Sequence, residues 1–96
     1  MENFKPEGYN SVSPYLIVDD AQRMIDMLIE IFGGLPLRRF NREDGGIMHA
    51  EVKLDDSVIM ISQSTADYPQ NQSILHVYVP EVDQTFEKAM QYGCQD

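Results

Sequence analysis

One motif occurs twice in this 96-residue chain, and its second copy stops early. A run of strand formers, an acidic start, an apolar stripe at helical spacing and a glycine stop appear as Tyr15-Leu-Ile-Val-Asp-Asp to Gly33. They appear again as His76-Val-Tyr-Val-Pro-Glu to Gly93. The offset sets Val79 on Val18, His76 on Tyr15 and Ile74 on Ser13. Units of a repeat bury their apolar faces on one another, so this self-similarity constrains the fold more than any single motif. Three further strands follow the first copy and none follows the second. A strand at 74–79 needs neighbours for its backbone groups, and a helix at 82–92 needs a sheet to cover. Either the chain is cut short or a partner chain supplies the complement, and the expectation is a homodimer, with units exchanged between chains or lying side by side.

The local pattern divides the chain into an arm (1–10), a first unit (11–63), a polar linker (64–73) and an incomplete second unit (74–93). Val12 to Val18 is rich in strand formers, with Ser13, Tyr15 and Ile17 on one face, Leu16 and Val18 on the other, and Pro14 near its start. Asp19 and Asp20 offer N-cap chemistry to a helix carrying Ala21, Met24, Ile25, Leu28 and Phe32, stopped by Gly33 and Gly34. Met27, Ile29 and Ile31 widen its apolar face beyond one stripe, which predicts burial on a second side, by another chain for example.

Leu35 to Asn41 reads as a strand and Arg42 to Gly46 as a turn. Ile47 to Leu54 then alternates, with Met48, Ala50, Val52 and Leu54 apolar on one face and Ile47, His49, Glu51 and Lys53 on the other. The two-residue connection Asp55-Asp56 predicts a hairpin pairing Leu54 with Ser57, Val52 with Ile59 and Ala50 with Ile61. On the opposite face this register sets Glu51 against Met60 and His49 against Ser62, a mixed surface suited to a cleft. Ile74 to Val79 is the second strand start, with Ile74, His76 and Tyr78 on one face. Val82, Phe86, Ala89 and Met90 form the stripe of the second helix.

Sixteen acidic against seven basic residues give a net charge of -9, and no basic run is present to neutralise phosphates. Nucleic acid and anionic membrane are therefore not expected partners. The longest apolar stretch is far below the ~20 residues of a bilayer span, and the polar amino end has no signal-peptide features, so a soluble cytoplasmic protein is expected. The single cysteine, Cys94, is read as an incidental free thiol. No serine–histidine–aspartate set, phosphate loop or dinucleotide fingerprint is present.

Five words in order carry a resemblance: Ser13-Pro-Tyr-Leu-Ile-Val-Asp-Asp-Ala, Phe32-Gly-Gly, Ile47-Met-His-Ala-Glu-Val, Asp56-Ser-Val-Ile-Met-Ile-Ser and Leu75-His-Val-Tyr-Val-Pro-Glu-Val-Asp. Together they resemble the glyoxalase, bleomycin-resistance and extradiol dioxygenase superfamily, or vicinal oxygen chelate fold, and its PhnB-like branch in particular. The resemblance implies an α+β fold, a βαβββ unit plus the βα start of a second, completed by dimerisation. Metal-binding members place His or Gln on the first strand, Glu on the fourth, His on the fifth and Glu on the eighth. Those positions here are Ser13, Met60, Ile74 and none. His76 lies two residues past the fifth-strand position on the same face, so a shifted alignment would bring it into the set.

The expected ligand-binding cavity is therefore Ser13, Tyr15, His49, Glu51, Met60, Ser62, His76 and Tyr78. His49 with Glu51 suits acid–base work or polar binding, although a purely structural pair is the commoner outcome. Tyr15 and Tyr78 suit stacking on a flat ligand. The reading is a metal-independent small-molecule-binding protein without a cofactor. Its alternative is a lyase, isomerase or dioxygenase with a divalent metal held by His49, Glu51 or His76, and a third reading is a non-catalytic, self-associating fragment.

Overall fold

Asp20 fixes where the first helix begins. In the computed structural model, which describes residues 4–95, its carboxylate accepts a hydrogen bond from the Arg23 backbone N–H at 3.1 Å. Helix α1 then runs Ala21–Phe32. Gly33 ends it in the left-handed region at φ 68°, where its N–H donates to the Ile29 carbonyl, while Gly34 N–H donates to that of Leu28. Both caps are those the sequence announces.

Strand β1 (Tyr15–Val18) precedes α1; β2 (Leu35–Asn41), β3 (Ile47–Leu54) and β4 (Ser57–Gln63) follow it, and helix α2 (Val82–Gln91) comes last. The sheet order is β1-β4-β3-β2, with β1 parallel to β4 and the other pairs antiparallel. The architecture is α+β, as expected. Helix α1 covers one face, where Ala21, Ile25 and Leu28 meet Leu16, Ala50, Val52, Leu54, Ile59 and Ile61 in the core.

The β3–β4 hairpin has the predicted register: Ala50 opposite Ile61, Val52 opposite Ile59 and Leu54 opposite Ser57. Asp55 supplies the positive φ, 53°, that so short a turn demands. Parity fails at the start of β3. Ile47 is buried in the core and Met48 is exposed, the reverse of the simple alternation, because a register shift against β2 between Phe40 and Asn41 rotates the strand there.

Strand β1 is shorter than expected and begins at Tyr15. Pro14 has no N–H to extend the ladder, although its carbonyl still accepts from Met60 N–H. Residues 74–79 form no strand, contrary to expectation. The outer edge of β1 is already occupied: Asn71 bonds both backbone groups of Ile17, and the Gln70 side-chain carbonyl accepts from Asp19 N–H. The segment beyond has no helix or strand, and Ile74 and Tyr78 in it are open to solvent.

Helix α2 forms as predicted, but Val82, Phe86 and Met90 of its stripe remain exposed. Its carboxyl end supplies the second cover for α1 within the same chain. The Arg23 guanidinium lies 5.0 Å from the Tyr92 ring centroid and donates to the Tyr92 carbonyl, and Cys94 Sγ sits 3.8 Å from Met27 Sδ. Cys94 is thus a packing thiol.

Gly34 is needed for its lack of a side chain, since a Cβ there would come within 2.6 Å of Val52 Cγ1 and 2.9 Å of Leu54 Cδ2. Gly34→Ala should lower the unfolding free energy by about 1–3 kcal/mol in urea denaturation, the usual cost of overpacking a core. No loss of stability would mean that α1 does not lie this close to β3.

Candidate ligand-binding site

The sheet face turned away from α1 carries the polar chemistry. Alternation along β3 places His49 and Glu51 there; β1 contributes Tyr15, and β4 contributes Met60 opposite both Tyr15 and Glu51. Ser62 is buried beside them, opposite Ile17. Tyr15 and His49 stand on strands separated by β4, and their side chains lean together across it with ring centroids 5.8 Å apart.

Four side chains form one hydrogen-bonded chain. Tyr9 O–H donates to Glu51 Oε1. His49 Nε2 lies 2.8 Å from Glu51 Oε2, and the Tyr15 hydroxyl lies 3.3 Å from His49 Nδ1. Glu51 is only 6% exposed, whereas Tyr15 is 45% exposed, so the chain runs from a buried anion to an open hydroxyl. Burial pushes the Glu51 carboxyl up; the bonds from Tyr9 and His49, with the charges of His49 and Arg38, outweigh it and hold the group below its ordinary value. The same bond to Glu51, aided by desolvation and the carboxylate's charge, raises the Tyr9 phenol against a smaller opposing effect of Arg38.

A carboxylate is acceptor-only, so the His49 nitrogen facing it carries the proton. In neutral imidazole Nδ1 is then a bare lone pair, and the Tyr15 O–H donates to it. Phe40 of β2 adds a third ring, 6.4 Å from His49.

Of the expected cavity residues, Tyr15, His49, Glu51, Met60 and Ser62 share this face, and Ser13 lies half-buried just before β1. His76 and Tyr78 lie elsewhere. Their rings pack on each other at 4.7 Å in the segment before α2, beside an open recess of about 880 Å³ that also touches Val12, Pro14 and Asp55 to Ser57. A second, apolar groove of about 440 Å³ lies between α1, β1 and Leu75 and Val77. The oxygens of its side-chain amides, Asn71 and Gln70, already accept from the backbone N–H groups of Ile17 and Asp19.

Sequence reasoning missed Tyr9, Phe40 and Arg38. Tyr9 belongs to the arm, which docks instead of trailing: Asn10 bonds the Asp56 carbonyl and Gly8 passes beside the Lys53 ammonium. The available signal was an aromatic residue next to a glycine in an otherwise polar stretch.

A divalent metal does not fit this donor set. Among the described residues no group of three His, Cys, Asp or Glu side chains converges. His49 and Glu51 already bind each other, and both carboxylate oxygens are engaged. Ser13, Met60 and Ile74, the positions aligned with metal ligands, bring no imidazole or carboxylate.

Comparison with solved structures identifies the architecture. TioX from Micromonospora sp. ML1 superposes with a TM-score of 0.61 at 23% identity, over 88% of this chain and 72% of that one. The fosfomycin resistance protein FosX from Listeria monocytogenes gives 0.68 at 17% identity, over 90% and 70%. FosX from Mesorhizobium loti gives 0.63 at 17%, over 88% and 70%. The fold is glyoxalase-like. No family model matches the sequence. Curated relatives include the uncharacterised protein Mb0911c of Mycobacterium bovis, 27% identical over 94 residues, or 86% of this chain and 62% of that protein. Rv0887c of Mycobacterium tuberculosis is also 27% identical, with 55% of its length covered. The chain thus spans between about half and three-fifths of the curated relatives it matches. Among the described residues no helix is long and apolar enough to cross a membrane.

Because Glu51 is held below its ordinary value of 4.5, its stabilising effect is complete above that value and is lost as pH falls through the lower, folded-state value. Glu51→Gln should be less stable than wild type by about 1–2 kcal/mol at neutral pH and should show a flatter loss of urea midpoint on acidification. Parallel acid limbs in the two proteins would contradict the buried, bonded carboxylate.

Proposed function

We propose that the chain is a metal-independent small-molecule-binding protein of the glyoxalase and bleomycin-resistance type, taking its ligand on the face of Tyr15, His49, Glu51, Met60 and Ser62. One observation carries the reading: a buried carboxylate is held ionised and wired through His49 to a solvent-open hydroxyl. Burying a carboxylate costs several kcal/mol unless it is bonded, and the α1 core is complete without it. Such a group is retained most simply because it orients a binding surface.

The glyoxalase-like fold, together with the five sequence words, supports membership of the vicinal oxygen chelate superfamily and its PhnB-like branch. Proteins that share the fold also bind small molecules: a mutant FosX from Listeria monocytogenes is complexed with Mn(II) and 1S,2S-dihydroxypropylphosphonic acid. The alternative, a metal-dependent lyase, isomerase or dioxygenase with ligands from His49, Glu51 or His76 and from a partner chain, has less support, because His49 and Glu51 bind each other and His76 packs on Tyr78 away from them. The same reading includes a homodimer, supported by the exposed apolar residues Ile74, Tyr78, Val82, Phe86 and Met90 along 74–90.

A thermal-shift screen of cationic glycopeptides and small aromatic acids should find a stabilising ligand, worth about 2.7 kcal/mol at a hundredfold excess over Kd. The shift should shrink in Tyr15→Phe and His49→Ala. Stoichiometric nickel, zinc or manganese binding that disappears in His49→Ala would contradict the metal-independent reading.

Sedimentation at micromolar concentration should give a dimer that Phe86→Glu dissociates. A clean wild-type monomer would remove the dimer from the proposal.

A further inference from the structure

Within the Tyr9–Glu51–His49–Tyr15 chain every side-chain hydrogen is already spent. Tyr9 O–H and His49 Nε2–H both point at Glu51, Tyr15 O–H points at His49 Nδ1, and Ser62 O–H points at the Gln63 carbonyl, 3.5 Å away. What the network turns outward is lone pairs, above all those of the half-exposed Tyr15 oxygen. The cations of the face stand at its other end. Arg38 is on β2, beyond β3 from Tyr15, and acts on Glu51 through its charge; Lys53 lies on the Glu51 side of His49, against Gly8. Beside Tyr15, strand β4 offers only Met60 and Ser62.

From this arrangement we infer that the site selects a flat ring that carries its own N–H or O–H donor, received by the Tyr15 oxygen, and disfavours rings offering only acceptors. The inference rests on the proposed binding face and names its ligand class. The ring preference comes from Tyr15, His49 and Phe40, three side-by-side rings with centroid separations of 5.8 and 6.4 Å, of which Tyr15 and Phe40 are about half exposed. An acceptor group placed at the Tyr15 oxygen finds no free donor in the hydrogen-bonded chain. It leaves two lone pairs opposed, or else takes the Tyr15 proton and strips His49 Nδ1 of its partner. The net charge of -9 adds long-range attraction for a donor that is also cationic.

Indole and benzofuran separate these cases, being nearly identical in size and shape while the first carries an N–H and the second an oxygen acceptor. Each is titrated into the full chain at mildly alkaline pH, with the Tyr15 and His49 ring signals followed by NMR. Indole should bind about three- to tenfold more tightly, and Tyr15→Phe should bring the two affinities together. Equal affinities, or tighter binding of benzofuran, would overturn the donor rule while leaving the face as a binding site. If neither probe moves the Tyr15 or His49 signals up to its solubility limit, the binding face and the donor rule both fall.

Discussion

The two-residue turn at Asp55-Asp56 fixes the register of the central β3–β4 hairpin, and the rest of the molecule depends on it. With Leu54 opposite Ser57, every second residue from Ala50 to Ile61 faces α1, and Ala50, Val52, Ile59 and Ile61 close the core. The intervening residues, His49, Glu51, Met60 and Ser62, are thereby placed on the other face. A slip of β3 by one residue would turn His49 and Glu51 under α1 and expose Ala50 and Val52 on the other face. Core stability and site composition are thus enforced by the same geometric choice.

The site has a physical logic that runs inward from water. Tyr15 is open, His49 is partly covered and Glu51 is buried, so the carboxylate charge lies where it is least screened. Tyr9 completes the arrangement by satisfying the second carboxylate oxygen, and without it a buried acceptor would lack a partner. The arm is consequently part of the site, anchored by Asn10 on the hairpin turn and by Tyr9 on β3.

Much of this was legible in the sequence, and the exceptions share a cause. The caps of α1, the β3–β4 register and the grouping of His49, Glu51, Met60 and Ser62 follow from local rules: an aspartate before a helix, a glycine pair after it, and a period of two across a tight turn. What local rules missed depends on long-range partners. Tyr9 needs Glu51, forty-two residues away, to become structural. Strand character at 74–79 goes unused because Gln70 and Asn71 take the edge of β1 first. The inversion of Ile47 and Met48 arises from a bulge against β2 that alternation along one strand does not reveal. His76 and Tyr78 share the predicted strand face with each other, but the segment that carries them never joins the sheet beside His49.

The central claim is that Glu51 fixes the proton of His49 on Nε2 and leaves Nδ1 as an acceptor for Tyr15. Long-range proton–nitrogen NMR of the His49 ring in the intact chain, at mildly alkaline pH, reads this directly. The account predicts a single neutral tautomer with a protonated Nε2 and a bare Nδ1. A dominant tautomer protonated at Nδ1, or an even mixture of the two, would contradict it.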